Sequence, residues 1–428
     1  MKPLTKAVAL AAAGALVFTG CASSDNSSAP AGQEAADAPI TVSAWNLSTT
    51  PEFPVLAEAY KAKTGTEVKF IDYDAAEYET LMVADMSANK APDVITIKQA
   101  KFLQPWATGG QLADISDIAS QLPSDLRGKD HFVVDGKSYA VPYRMDSWVL
   151  YYNKDMFKKA GVAEPDGTWT WDDYEKAAKD LSAKLGDTKG AYLHTWQSAV
   201  QAFASAQTPG ASMLTGDFSY TKPYYERALR MQDDKSQVSY GTATTNKLTY
   251  QAQFGKQQAA MMLMGTWCAG TIVDQQKSGD ADTFEWGMAP VPQATKADTA
   301  APITFGSPTG MGLNPALVGT DREAKVKDFL KFLGSEDAAK ALATVAKVAS
   351  VSNDSVIEAL FAYDGMPSDD LSKAALSKQK IEPEVPIDKN ASTISGILAD
   401  AHSAIMSESE DVDKALAEAS ERVKNEVA

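Results

Sequence analysis

The sequence predicts an α/β protein whose chain is divided between two lobes. Three observations carry this reading. Strand and helix patterns alternate along the first part of the chain, the arrangement that pairs strands in parallel and lays helices on their faces. A helix-rich region with clear apolar stripes follows. Finally, 428 residues, 44% of them hydrophobic, fill two sizeable cores and exceed what one ordinary domain buries.

Folding is predicted to begin at "ITVSAW", an alternating strand. In "TTPEFPVLAEAYKAKTG", Thr50 is placed to cap a helix with Pro51 at its first position and Phe53, Leu56, Ala57 and Tyr60 on one face. "EVKFIDYD" and "DVITI" read as further strands, separated by a helix through Leu81 and Met82. "FVVDGKSYAVPY" breaks the alternation as a hairpin turning at Asp135 and Gly136. In "TWTWDDYEKAAKDLSAKLG", Thr170 and Asp173 have capping-box spacing ahead of a stripe of Trp171, Tyr174, Ala178, Leu181 and Leu185. "AKVKDFLKFLG" stops at Gly334, "SEDAAKALATVA" restarts from Ser335, and "DVDKALAEASERVKNEV" closes the chain as a last amphipathic helix. The run "AAMMLMG" reads as a buried strand, with Gly265 letting the chain turn out of it.

Charge narrows the partners. A formal net charge of −16 repels phosphate, so neither nucleic acid nor an anionic membrane surface is the main partner. Lys2 and Lys6 precede "AVALAAAGALVFTG", a basic start and an apolar stretch that make residues 1–20 an export signal. The junction "FTGC" resembles the bacterial lipobox, with Phe18 where leucine is usual, and the resemblance implies lipidation of Cys21. Residues 21–39, rich in Ser, Ala, Pro and acids, read as a flexible tether. With Cys21 acylated, Cys268 has no partner for a disulfide and reads as a small packing residue.

Catalytic signatures fail one by one. "HFVVDGKS" has His131 where a phosphate-binding loop needs its first glycine, and "GMGLNP" has Pro315 where a dinucleotide fingerprint needs its last. "GSPTG" carries proline at the centre of a would-be nucleophile elbow, and His131, His194 and His402 lack metal-ligand spacing. The better signal lies at strand ends, where open α/β sheets bind ligands: Trp45 and Asn46 close the first strand, Lys98 and Gln99 the third. No cofactor or metal is expected.

"GKSYAVPYRMDSWVLYYNKDMFKKAGV" followed by "TWTWDDYEKAAKDL" resembles the lobe-crossing segment of the extracellular solute-binding proteins of ABC importers, carbohydrate class (maltose-binding-protein-like). "APDVITIKQAKFLQPWATGGQLADI", "FGKQQAAMMLMGTWCAG", "FEWGMAPVPQ" and "GSPTGMGLNPA" follow in the same order. The resemblance implies a two-lobed, periplasmic-binding-protein-like fold with a hinge of crossing strands and a cleft between the lobes. Residues 40–144 and 308–350 would form lobe 1, and 145–307 and 351–428 lobe 2. It implies a monomeric, non-enzymatic receptor, lipid-anchored through Cys21 on the extracellular face of the cytoplasmic membrane. Such a receptor captures an oligosaccharide by lobe closure and hands it to the ABC permease subunits. Trp267 falls at the stacking tryptophan, Asp146 at a hinge carboxylate that accepts hydroxyl protons, with Arg144 beside it to pair with hydroxyls or with Asp146. Tyr192 and Trp196 supply second-lobe aromatics, Phe305 and Gly306 the returning crossover, and Trp45, Asn46, Lys98 and Gln99 the first-lobe wall. Two rivals stand beside it: a binding protein for polyamine or peptide, and an exported glycoside hydrolase using Asp72 and Asp146, which would need the carboxyls about 5–9.5 Å apart.

Overall fold

The computed structural model describes residues 38–427; the leader, Cys21 and most of the tether lie outside the described residues. β1 (Ile40–Trp45) pairs in parallel with β2 (Val68–Tyr73) on one side and β3 (Val94–Ile97) on the other. The intervening helix Glu52–Thr64 buries Phe53, Leu56 and Tyr60 as the spacing requires, but it starts one residue later than expected. Pro51, and not Thr50, stands at its N-cap, without a side-chain cap bond. Its first residue, Glu52, is fully buried, which the amphipathic pattern does not foretell.

The hairpin of β4 (Val133–Val134) and β5 (Lys137–Ser138) turns at Asp135 and Gly136, both with positive φ, the requirement of a tight primed turn. β6 (Val141–Asn153) then runs 13 residues, long enough to belong to two cores. Its first half pairs antiparallel with β10 (Ile303–Leu313). Its second half pairs with β8 (Ala259–Gly265) and β9 (Trp286–Ala289). β7 (Lys189–Tyr192) adds to β8 in parallel, and β11 (Lys380–Pro383) adds to β10. Among the described residues the main path runs β2-β1-β3-β10-β6-β8-β7.

Two hydrophobic clusters form along this path. One gathers the side chains of β1, β3, the start of β6 and the end of β10 with the helices Glu52–Thr64, Glu323–Leu333 and Glu336–Ala343. The other gathers the end of β6, β8 and β9 with the helices Trp171–Leu185, Ala391–Met406 and Val412–Glu426. Three strands of chain cross between them: β6, β10 and the segment 348–350, whose backbone pairs with Tyr143 and Met145 at 3.1 Å. Ala343, Ala346 and Val348 belong to the second cluster, because Ala346 packs against Gly270, so this cluster reaches back before residue 351. No helix of the described residues is long and apolar enough to cross a membrane.

The local rules behave as written at several helices. Thr170 and Asp173 exchange both capping-box bonds, Ser335 caps Glu336–Ala343, and β8 is buried at every position.

Candidate functional site

β8 delivers the chain to Gly265, Thr266 turns it, and Trp267 opens the helix Trp267–Ser278. The glycine is a steric necessity: a Cβ at 265 would stand 1.9 Å from the Trp267 ring, so the indole lies folded back over bare backbone. Trp148 meets that indole edge-on at 6.1 Å, and the Trp267 Nε1 donates to the Tyr250 hydroxyl at 3.3 Å. Trp196 approaches at 6.3 Å with its ring tilted 45° and stands 42% exposed. His194 fills the angle between them, 4.5 Å from Trp196 and 5.3 Å from Tyr250. Burial lowers its imidazole pKa to about 4, so it is neutral at pH 7, and Tyr192 holds its Nδ1 at 3.0 Å.

Trp267, Trp196, Tyr250 and His194 thus form one aromatic wall. Its faces are partly open and its back is locked by edge contacts. Such a wall offers flat apolar surface of the kind the C–H face of a pyranose stacks on. Sequence reasoning found two of its four members. His194 and Tyr250 were missed, although "HTW" begins two residues past the carboxyl end of β7, near the position the strand-end rule favours.

Four residues placed at the ligand by resemblance are corrected. Asp146 is 4% exposed; its carboxylate takes an ion pair from Arg144 at 2.8 Å and a hydrogen bond from Thr266 Oγ1 at 2.9 Å, so both its oxygens already have protein partners. Burial pushes its carboxyl pKa up and Arg144 pulls against that. Phe305 is fully buried between Trp148 and Phe203, and Tyr192 is fully buried behind His194. Gly306 is buried where β10 passes β6, and a Cβ there would meet the Asp146 carbonyl oxygen at 2.2 Å.

Arg144 takes the second of its two expected roles and pairs with Asp146. Its guanidinium lies between Glu52 at 2.5 Å and Asp146, with Thr309 Oγ1 at 3.3 Å and Lys347 3.9 Å from the same Glu52 carboxylate. Burial alone would lower its pKa, but Asp146 and Glu52 outweigh that and hold it charged. This string runs from the first-lobe helix through the crossing strand to the residue before Trp267.

On the first lobe, Trp45 is 8% exposed, with Phe53 and Tyr78 at its edges. Lys98 lies over both the Trp45 and Tyr78 rings and donates to the Ala75 carbonyl at 2.5 Å, and the Gln99 amide donates to Glu79 at 2.8 Å. Asn46 is exposed in a left-handed turn, φ 46°, beside the exposed Asp72. Cys268 is fully buried and burial drives its thiol pKa far up, so it packs as an apolar residue.

Two α/β lobes strung on crossing strands, with aromatic and polar groups gathered at strand ends, define the class of two-lobed solute-binding proteins. Residues 46–340 match the family model of the bacterial extracellular solute-binding proteins, and the chain belongs to that family. It is similar to a sugar transporter from Rhizobium etli solved in an open conformation, at 31% identity and TM-score 0.80, covering 90% of this chain and 99% of that one. The fold also matches an ABC substrate-binding protein from Listeria monocytogenes in complex with cycloalternan, at 20% identity and TM-score 0.74, covering 90% and 98%. An arabinooligosaccharide-binding protein of Bacillus subtilis is 24% identical over 209 residues, 46% of this chain and 47% of that relative. The chain therefore aligns with about half the length of that curated relative.

Proposed function

We propose that this chain is the substrate-binding component of an ABC sugar importer. It captures an oligosaccharide by closure of its lobes and delivers it, as a monomer, to the membrane permease. The single observation that carries this reading is the partly open wall of Trp267, Trp196, Tyr250 and His194 at the carboxyl ends of second-lobe strands. Aromatic platforms supply dispersion and C–H contacts to one sugar face, while Asn46 and Asp72 offer exposed polar groups on the first lobe for the hydroxyls. Relatives whose names speak of sugar transport and arabinooligosaccharide binding support the same reading. Lobe closure follows from the architecture: ligand that touches both lobes stabilises the closed state by its differential contacts there.

Calorimetry against mono- to hexasaccharides of the arabino, malto and chito series tests the proposal. Affinity on the order of micromolar, about −8 kcal/mol, for at least one series is expected. Silence across all three refutes it. The lipid anchor on Cys21 is part of the proposal, and Cys21→Ala should move the protein from the membrane fraction to the medium.

A further inference from the structure

Beside the aromatic wall lies a cavity of about 470 Å³, within the range of small-ligand sites. It is bounded by the helix Ser198–Gln207, by β11 with the residues that follow it, and by the helix Ala391–Met406. Gln197, among its lining residues, directly follows the wall residue Trp196 in the chain and donates to the Ser395 carbonyl at 3.3 Å. Its lining mixes apolar side chains with polar ones and the charged Lys380, Glu382 and Glu384, and two groups in it are left in states that a hydroxylated ligand would resolve.

Ser395 is 6% exposed and its Oγ is buried without a hydrogen-bond partner. Gln201 donates its amide to Tyr225 Oη at 2.7 Å and to the Leu398 carbonyl at 2.9 Å, which leaves its Oε1 as an acceptor with no protein donor among the described residues. Opposite them stands Glu384, anchored through its backbone N–H to the Gly306 carbonyl at 3.0 Å on the crossing strand. Burial pushes its carboxyl pKa up, while the Ser198 hydroxyl and the ammonium of Lys101 pull it down. Lys101 belongs to the turn Ala100–Phe102 that follows β3, so a first-lobe cation acts on this second-lobe carboxylate, more weakly than burial does. Ser395, Gln201 and Glu384 thus present a hydroxyl, an amide oxygen and a carboxyl group to the cavity: acceptors and donors for neutral hydroxyls.

We propose that this cavity is a second sugar subsite, which takes an uncharged, hydroxyl-rich ring with Glu384 and Gln201 accepting its hydroxyl protons. The proposal rests on the sugar reading above and extends it: the favoured ligand is long enough to stack on Trp267 and reach past Gln197. A carboxylate that accepts two hydroxyl protons from one ring is a geometry glutamine reproduces only in part, so Glu384→Gln isolates the subsite without altering its shape.

The test is calorimetry of the full chain, using the series that binds from one to six units, on wild type, Glu384→Gln and Trp267→Ala, with thermal melts to confirm folding. Ser395→Ala, which removes the unpartnered hydroxyl without adding bulk, serves as the second cavity variant. Expected is an affinity that rises about tenfold once the chain exceeds the length spanning the wall. Glu384→Gln should remove most of that increment and leave the short sugars unchanged, whereas Trp267→Ala weakens short and long alike. If a free monosaccharide binds Trp267→Ala and is lost on adding Glu384→Gln, the ring comes from a separate small sugar and the subsite stands. Equal effects of Glu384→Gln on short and long sugars, or no effect of either cavity variant at any length, overturn the subsite alone. Binding of a polyamine such as spermidine in place of sugar overturns the sugar reading and the subsite together.

Discussion

The two lobes carry aromatic side chains at equivalent places, the carboxyl ends of their strands, and use them differently. Trp45 on the first lobe is wedged among Phe53 and Tyr78 beneath the Lys98 ammonium and is only 8% exposed. Trp196 on the second lobe is 42% exposed, and Trp267 beside it is only partly covered. The same residue type is a structural plug on one lobe and an open platform on the other. What differs is the neighbour. Trp45 is the last residue of a strand with a helix packed over it, whereas Trp267 sits on the first turn of its own helix, leaning on a glycine.

The largest expected effect is on the plug. Trp45→Ala should lower unfolding stability by about 3–5 kcal/mol in denaturant melts while sugar affinity changes less than about threefold. A loss of affinity with stability intact would make the first lobe a second platform and break the contrast. On the platform side, Trp267→Ala should weaken sugar binding on the order of tenfold or more, about 1.4 kcal/mol, with little loss of stability. Gly265→Ala should weaken it comparably with Trp267 still present, because the added methyl displaces the indole; unchanged affinity would show that the ring's position is not what matters.

Acid should act next, on both lobes, since burial also lowers the pKa of His131 on the first. Burial depresses both His194 and His402, on the second lobe, to about 4 against an ordinary 6.5. Between those values the unfolded chain binds protons that the folded chain does not, so their contribution is present above about pH 6.5 and is lost as pH falls toward 4. Replacing each by Asn should flatten the stability slope in that window, and a slope unchanged in both variants would place its origin elsewhere. The smallest effect belongs to Lys98→Met, which removes one hydrogen bond and a partly exposed cation over two rings, worth about 1 kcal/mol of stability together.

Much of the fold was legible because it depends on local pattern. The capping box at Thr170, the stop and restart at Gly334 and Ser335, and the turn at Asp135 and Gly136 are each set by a few adjacent residues and a backbone rule. The wall was legible in half: Trp267 and Trp196 stand out as tryptophans near strand ends, while His194 and Tyr250 join it through contacts from separate elements. The least legible feature was the hinge. Asp146 and Arg144 look like a ligand-reading pair two residues apart on a strand. Glu52, nearly a hundred residues earlier, turns them into a buried ion string, because burial makes a charge seek the opposite charge brought to it by the fold.

The sequence by itself determined the alternation of strands and helices, the buried methionine strand and the glycine before Trp267, since periodicity and steric allowance act over a few residues. The tertiary structure alone decided which aromatics stay open and which carboxylates are committed inside. Exposure and charge pairing are properties of what lies across a packed interface, and residues such as Glu52 and Tyr250 reach those interfaces only when distant strands are brought side by side.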